Sequence, residues 1–182
     1  LASCHLVRTL ERKGLAVGAC KLTGVALLRD VLEMTDYGAV FGASFIDAGI
    51  PSTTAATAVS TARALMESLI AKGSQVIVAE LGDGIMGEYG VQEILRDELV
   101  MSLSRALVLC ASDPVGAWGG VEILRDRFKL KPHVISGPVT DNAVGTKFIE
   151  SQLGVPAINA RLHSEALGEL VFGAIEPFLI KQ

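Results

Sequence analysis

The chain has 182 residues, half of them apolar and 20% charged, a net charge of −4 and a mean hydropathy of +0.46. That length suits a single domain able to bury roughly 70% of the surface its unfolded form exposes. The slightly acidic balance argues against nucleic acid as main partner, since phosphate neutralisation needs clustered Lys and Arg, and no apolar run reaches the roughly 18 residues that span a bilayer.

Residues 1–14 read as a helix already in progress. Leu1, Cys4, Leu6, Val7 and Leu10 share an apolar face, Arg8, Glu11, Arg12 and Lys13 carry the charge, and Gly14 stops it. No cap precedes this helix, which is read as a cut inside or just before it, with a strand and loop expected upstream. Strands are then expected at residues 15–20, 39–46, 75–80, 106–111, 133–136 and 155–159. The helices between and after them are expected at 25–34, 55–72, 91–104, 118–128, 142–153 and 164 to about 180. Alternation on this scale makes βαβ units, so the predicted fold is α/β: a single three-layer α/β/α domain over 1–182 with a mainly parallel sheet and right-handed crossovers.

Cys4, Cys20 and Cys110 are an odd set without Cys-x-x-Cys spacing, and two of them fall in strand-like runs. They read as buried thiols in a reducing, cytoplasmic compartment. His5, His133 and His163 are scattered and offer no zinc spacing.

In an open parallel sheet, ligands bind outside the carboxyl ends of the strands. The loops there are KLTG, IDAGIPSTT, ELGDGIMGEYG, SDPVGAWGG, SGPVTDN and NARLHS, all rich in Gly, hydroxyls, Asp or Asn, whereas opposite loops such as ERKG and AKGS are plain. A small-molecule ligand is therefore expected on this edge. Gly82-x-Gly84-x-x-Gly87 follows a strand and precedes a helix, a formal match to the dinucleotide fingerprint. The loop also carries Glu80, Asp83 and Glu88, which repel a pyrophosphate. The acid ending the next strand, Asp113, comes 26 residues after Gly87 and not about 20. Glu80, ending an apolar strand, is better suited to hold a hydrated Mg²⁺ that in turn binds phosphate oxygens.

Three short runs carry a resemblance. Lys21, Thr23 and Gly24 match the Lys-x-x-Ser/Thr-Gly turn that ends the second strand of P-loop enzymes of the dethiobiotin synthetase-like group. VIVAELGDG resembles that group's strand followed by Glu-Gly-x-Gly, with Leu81 inserted after the Glu, and LGVPAINA resembles its late Leu-Gly-Val-Pro strand. The chain is also similar to the P-loop domains of a widespread bacterial family of unknown function. The phosphate-cradling Gly-x-x-x-x-Gly-Lys-Ser/Thr is absent from these residues, so the resemblance implies a truncation after it.

The resemblance implies a nucleotide-binding enzyme domain that uses ATP and Mg²⁺ to activate or ligate a small carboxylate. Glu80 would complete the metal shell and Lys21 would stabilise charge on the transferred phosphoryl group or the acceptor. Asp47 would bind the metal through water or orient an acceptor, a role set against capping the next helix. Thr23, Gly82, Gly84, Asn142 and Asn159 are the residues expected to bind the nucleotide, the loop that holds Asn159 approaching its base. Asp113, Asp141 and Asn142 read first as turn and N-cap residues and second as hydrogen-bonding groups for substrate or base, and Trp118 reads first as a core residue or dimer contact and second as a ligand lid. The alternatives are a regulatory or assembly module without turnover, and an acyltransferase or NAD-binding enzyme that reuses the fold. A homo-oligomer is allowed for.

Overall fold

The computed structural model describes residues 1–179, so Ile180, at the end of the last expected helix, lies outside the described residues. The chain is mixed α/β with every strand pairing parallel, in a three-stranded and a two-stranded sheet. The described residues group into two compact units, one of Val7–Leu103 and one from Ser104 onward together with Leu1–Leu6. None of the described helices is long and apolar enough to cross a membrane.

Helix α1 (Ala2–Arg12) buries Cys4, Leu6, Val7 and Leu10 of the apolar face read from the sequence, while Leu1, just before the helix, is exposed. In the 7–103 unit, β1 (Val17–Thr23), β2 (Phe41–Ser44) and β3 (Val76–Leu81) are ordered β2-β1-β3. Between them run α2 (Leu28–Asp36) and α3 (Ala58–Ala71). The chain steps from β1 to β2 in one direction and returns past β1 to β3, so two right-handed crossovers put α2 and α3 on opposite faces. The side chains agree. A Cβ on Gly42 would meet Val31 and Thr35 of α2, whereas its neighbour Ala43 packs with Cys20, Leu22, Leu65 and Leu69 on the α3 side. All seven residues of β1 are buried, as a central parallel strand requires. Burial pushes the Cys20 thiol up to about 12.

One expected helix, residues 91–104, is two: α4 (Val91–Arg96) and α5 (Glu98–Leu103). The break is Asp97, whose carboxylate accepts the Val100 N–H at 2.9 Å as an N-cap would and pairs with Arg63 at 2.6 Å. Those bonds hold the Asp97 carboxyl below the usual carboxylate range, the Arg63 hydrogen bond first and the Val100 amide second.

In the other unit, β4 (Val108–Cys110) and β5 (Val134–Ser136) flank α6 (Pro114–Phe128). Helix α7 (Ala143–Phe148) continues as a π-helical turn over Ile149–Leu153, and α8 (Ser164–Ile175) runs into a 3-10 turn over Glu176–Phe178. Ile135, Val121, Ile149 and Val155 form its core with Ala117 and Val139. The strand expected at 155–159 is only one parallel bridge, Ile135 to Ala157. Pro156 can accept from the Ile135 N–H, at 2.9 Å, but has no N–H of its own to extend the ladder. Two of the three cysteines are buried as expected; Cys110 is exposed.

Candidate functional site

The order β2-β1-β3 reverses direction at β1, so the crevice between the carboxyl ends of β1 and β3 is where an open parallel sheet offers room for a ligand. Lys21 lies at that end of β1. Strand alternation decides where its side chain goes: Lys21 is in register with Ser44 and has the parity of Ala19 and Val17, the α2 face. There its ammonium pairs with Asp30 of α2 and donates to the Val25 carbonyl at 3.4 Å. The Lys21 side chain is 8% exposed and that of Asp30 22%. Burying an ammonium costs several kcal/mol unless a counter-charge accompanies it, which is the work of Asp30. The sequence reading missed Asp30; counting alternation along β1 toward the helix that follows was the available signal.

Three loops are stitched together around this crevice. The Thr23 hydroxyl donates to the Gly82 carbonyl at 3.0 Å. The Thr53 hydroxyl accepts the Gly24 N–H at 2.9 Å and donates to the Tyr89 carbonyl at 2.8 Å. The Val25 N–H donates to Asp83 Oδ2 at 3.3 Å. Gly82 is required because a Cβ there would stand 2.7 Å from the Thr23 carbonyl oxygen and 3.1 Å from Lys21 Cε. Asp83 and Gly84 take φ of 65° and 80°, a left-handed turn that Asp tolerates better than most residues. That turn carries the Asp83 carboxylate over Gly24, where its Oδ2 would be 2.1 Å from an added Cβ. An anionic oxygen of the chain itself thus sits on the 24–25 backbone.

Glu80 is half-buried and is the cross-strand register partner of Lys21. Among the described residues no group of three or more His, Cys, Asp or Glu is placed to hold a metal ion, so a cation at Glu80 would draw its remaining ligands from water or a bound anion. Asp47 is exposed and accepts the Ser44 N–H at 2.7 Å, closing the turn after β2 and capping no following helix.

Asn142 and Asn159 lie in the other unit. Asn142 caps α7 by accepting the Gly145 N–H at 3.0 Å, and Asp113 caps α6 by accepting from Gly116 at 2.8 Å. Asn159 is buried; its carbonyl accepts the Arg161 and Leu162 N–H groups at 3.0 and 2.9 Å, and its amide donates to Asp141 at 2.7 Å. One amide proton of Asn159 is left for a ligand. Ser112, Asp113, Pro138, Val139, Asn142 and Gly145 border a shallow cleft of about 450 Å³ at the N-termini of α6 and α7. Trp118 is half exposed beside Val121 and Phe148, so it is no core residue. No family model matches the chain, and no curated protein matches it.

Proposed function

We propose that the carboxyl edge of the β2-β1-β3 sheet binds the phosphate groups of a nucleotide, ATP with Mg²⁺, in a three-layer P-loop-type domain that activates or ligates a small carboxylate. The observation that carries this reading is Lys21, a buried ammonium at the strand end beside the crevice, where a purely structural strand would place an apolar residue. Around it the Gly24 and Val25 amides and the Thr23 and Thr53 hydroxyls are already organised, and the Asp83 carboxylate stands where a ligand oxygen would.

The residues present fit the group under one condition. Asp30, Asp83 and Glu80 surround a single lysine, so a polyphosphate entering alone would meet net negative charge; a divalent cation offsets it. Such a cation would supply neutralisation of the phosphate charge. Glu80 would hold that cation, and Lys21, exchanging Asp30 for a phosphoryl oxygen, would stabilise charge on the transferred group. Thr23 and Gly82 fix the two loops against each other so that this exchange occurs at a fixed position.

Isothermal titration with ATP tests the reading. Binding is expected with Mg²⁺ and much weaker with EDTA, and Glu80→Gln should weaken it far more than Glu88→Gln. Equal affinity with and without Mg²⁺ would overturn it. A second reading, a regulatory or assembly module without turnover, is favoured by one observation: Asp30 neutralises Lys21. Binding without any measurable hydrolysis or transfer would select it.

A further inference from the structure

Helix α2 presents an apolar face that nothing in its own unit covers. Leu28 and Leu32 are 63% and 59% exposed, and Val25 and Leu27 just before the helix are at least half exposed. Scattered surface leucines need no explanation, but four in eight residues form a patch of the kind found at interaction sites.

The helix also carries its charge asymmetrically. At about 100° per residue, Leu28 and Leu32 form one stripe, and Arg29, Glu33 and Asp36 all fall on the same flank of it. The other flank holds Val31 and Thr35, which face Gly42 of β2. Arg29 lies in the first turn, Asp36 in the last, and Glu33 one turn after Arg29. When two helices pack antiparallel, positions on the same flank meet each other; when they pack parallel, opposite flanks meet. Only the antiparallel arrangement therefore sets the charged flank against itself. It brings Arg29 of each copy, which pairs with Glu33 of its own helix at 2.9 Å, to Asp36 of the other.

We propose that α2 is the contact helix of a two-fold homodimer, in which the Leu28–Leu32 stripes pack antiparallel, with the axis beside Leu32 and reciprocal Arg29–Asp36 pairs at its ends. Such an interface is isologous and needs no second surface. A nine-residue helix and the residues before it bury less than the roughly 1,200 Å² of a standard interface, so the dimer is weak, with a Kd on the order of tens of micromolar. The helix stripe itself, Leu28 and Leu32, carries none of the groups assigned to the nucleotide site, although Val25 at the border of the patch also lends its amide and carbonyl to that crevice.

Sedimentation equilibrium of the full chain over about 1–500 µM tests it. Monomer and dimer should exchange across that range, and Leu28→Ser with Leu32→Ser should leave a folded monomer. Arg29→Asp and Asp36→Arg should each weaken association at least tenfold by facing like charges. Combined in one chain they should restore it, because the pairs are then re-formed with reversed sign. Arg29→Asp also breaks the Arg29–Glu33 pair within its own helix, so circular dichroism of each single variant checks that the helix is intact, and association regained in the double variant separates a lost interface from a lost helix. A chain that stays monomeric throughout, or a dimer indifferent to the leucine and charge variants, would overturn the proposal.

Discussion

The carboxyl edges of the two sheets are built from the same residue types but bond differently. At the β4–β5 edge, Asp113 and Asn142 each bond three residues ahead and cap a helix, and Asn159 closes a turn two and three residues ahead; the longer bonds there are the Asn159 amide to Asp141 and the Ala160 N–H to the Ser136 hydroxyl. At the β1–β3 edge the partners are far apart in sequence: Thr23 with Gly82, Gly24 with Thr53, Thr53 with Tyr89, Val25 with Asp83. Local bonds stabilise their own elements. Long-range bonds hold separate loops in fixed mutual positions, which is what a binding site needs and a helix cap does not.

The largest test of that contrast is Gly145→Val. A Cβ at this position would lie 1.9 Å from the Val139 carbonyl oxygen, backbone that cannot step aside. Urea unfolding should show a loss of about 3 kcal/mol. Next comes Lys21→Ala, which strands the Asp30 carboxylate in a mostly buried position and should cost about 2 kcal/mol. Lys21→Met combined with Asp30→Leu removes both charges together, so stability should stay within about 1 kcal/mol of wild type. If the double variant were as unstable as Lys21→Ala, the pair would be part of the scaffold and not of a site.

Smaller still, Asn142→Ala should cost about 1 kcal/mol through the lost cap while leaving nucleotide affinity unchanged. A fall in affinity would move Asn142 from the cap to the ligand. Acidification probes Asp97. Its folded-state carboxyl lies below the ordinary value, so its contribution is present above about pH 4 and is lost as pH falls through the folded value. Asp97→Asn should therefore be less stable than wild type near neutrality and converge with it in acid. Thiol labelling at pH 8 should modify the exposed Cys110 quickly, and Cys4 and Cys20 only on unfolding, because burial keeps Cys20 protonated.

The sequence made some of this architecture readable. Apolar runs marked the first five strands, and loop composition marked the carboxyl edge, because both are local properties. Thr23, Lys21 and Gly82 came together as expected from their places at strand ends. The Asp97 break was half hidden: its cap bond to Val100 is local, but the pairing that fixes its carboxylate comes from Arg63, 34 residues away. Asp30 was hidden because it sits within a helix, where an acidic residue reads as surface charge until β1's alternation is followed across to α2. Asp47 and Asn159 each also hold a local turn, which composition does not reveal: Asp47 Oδ2 accepts the Ser44 N–H, and the Asn159 carbonyl accepts the Arg161 and Leu162 N–H groups.

The most direct measurement is calorimetric titration of Mg²⁺–ATP into wild type and into the Lys21→Met, Asp30→Leu double variant, with unfolding curves of both in hand. Lys21 as a phosphate ligand predicts saturable binding to wild type and at least tenfold weaker binding to the equally stable variant. No binding to wild type, or equal affinity in the two proteins, would contradict it.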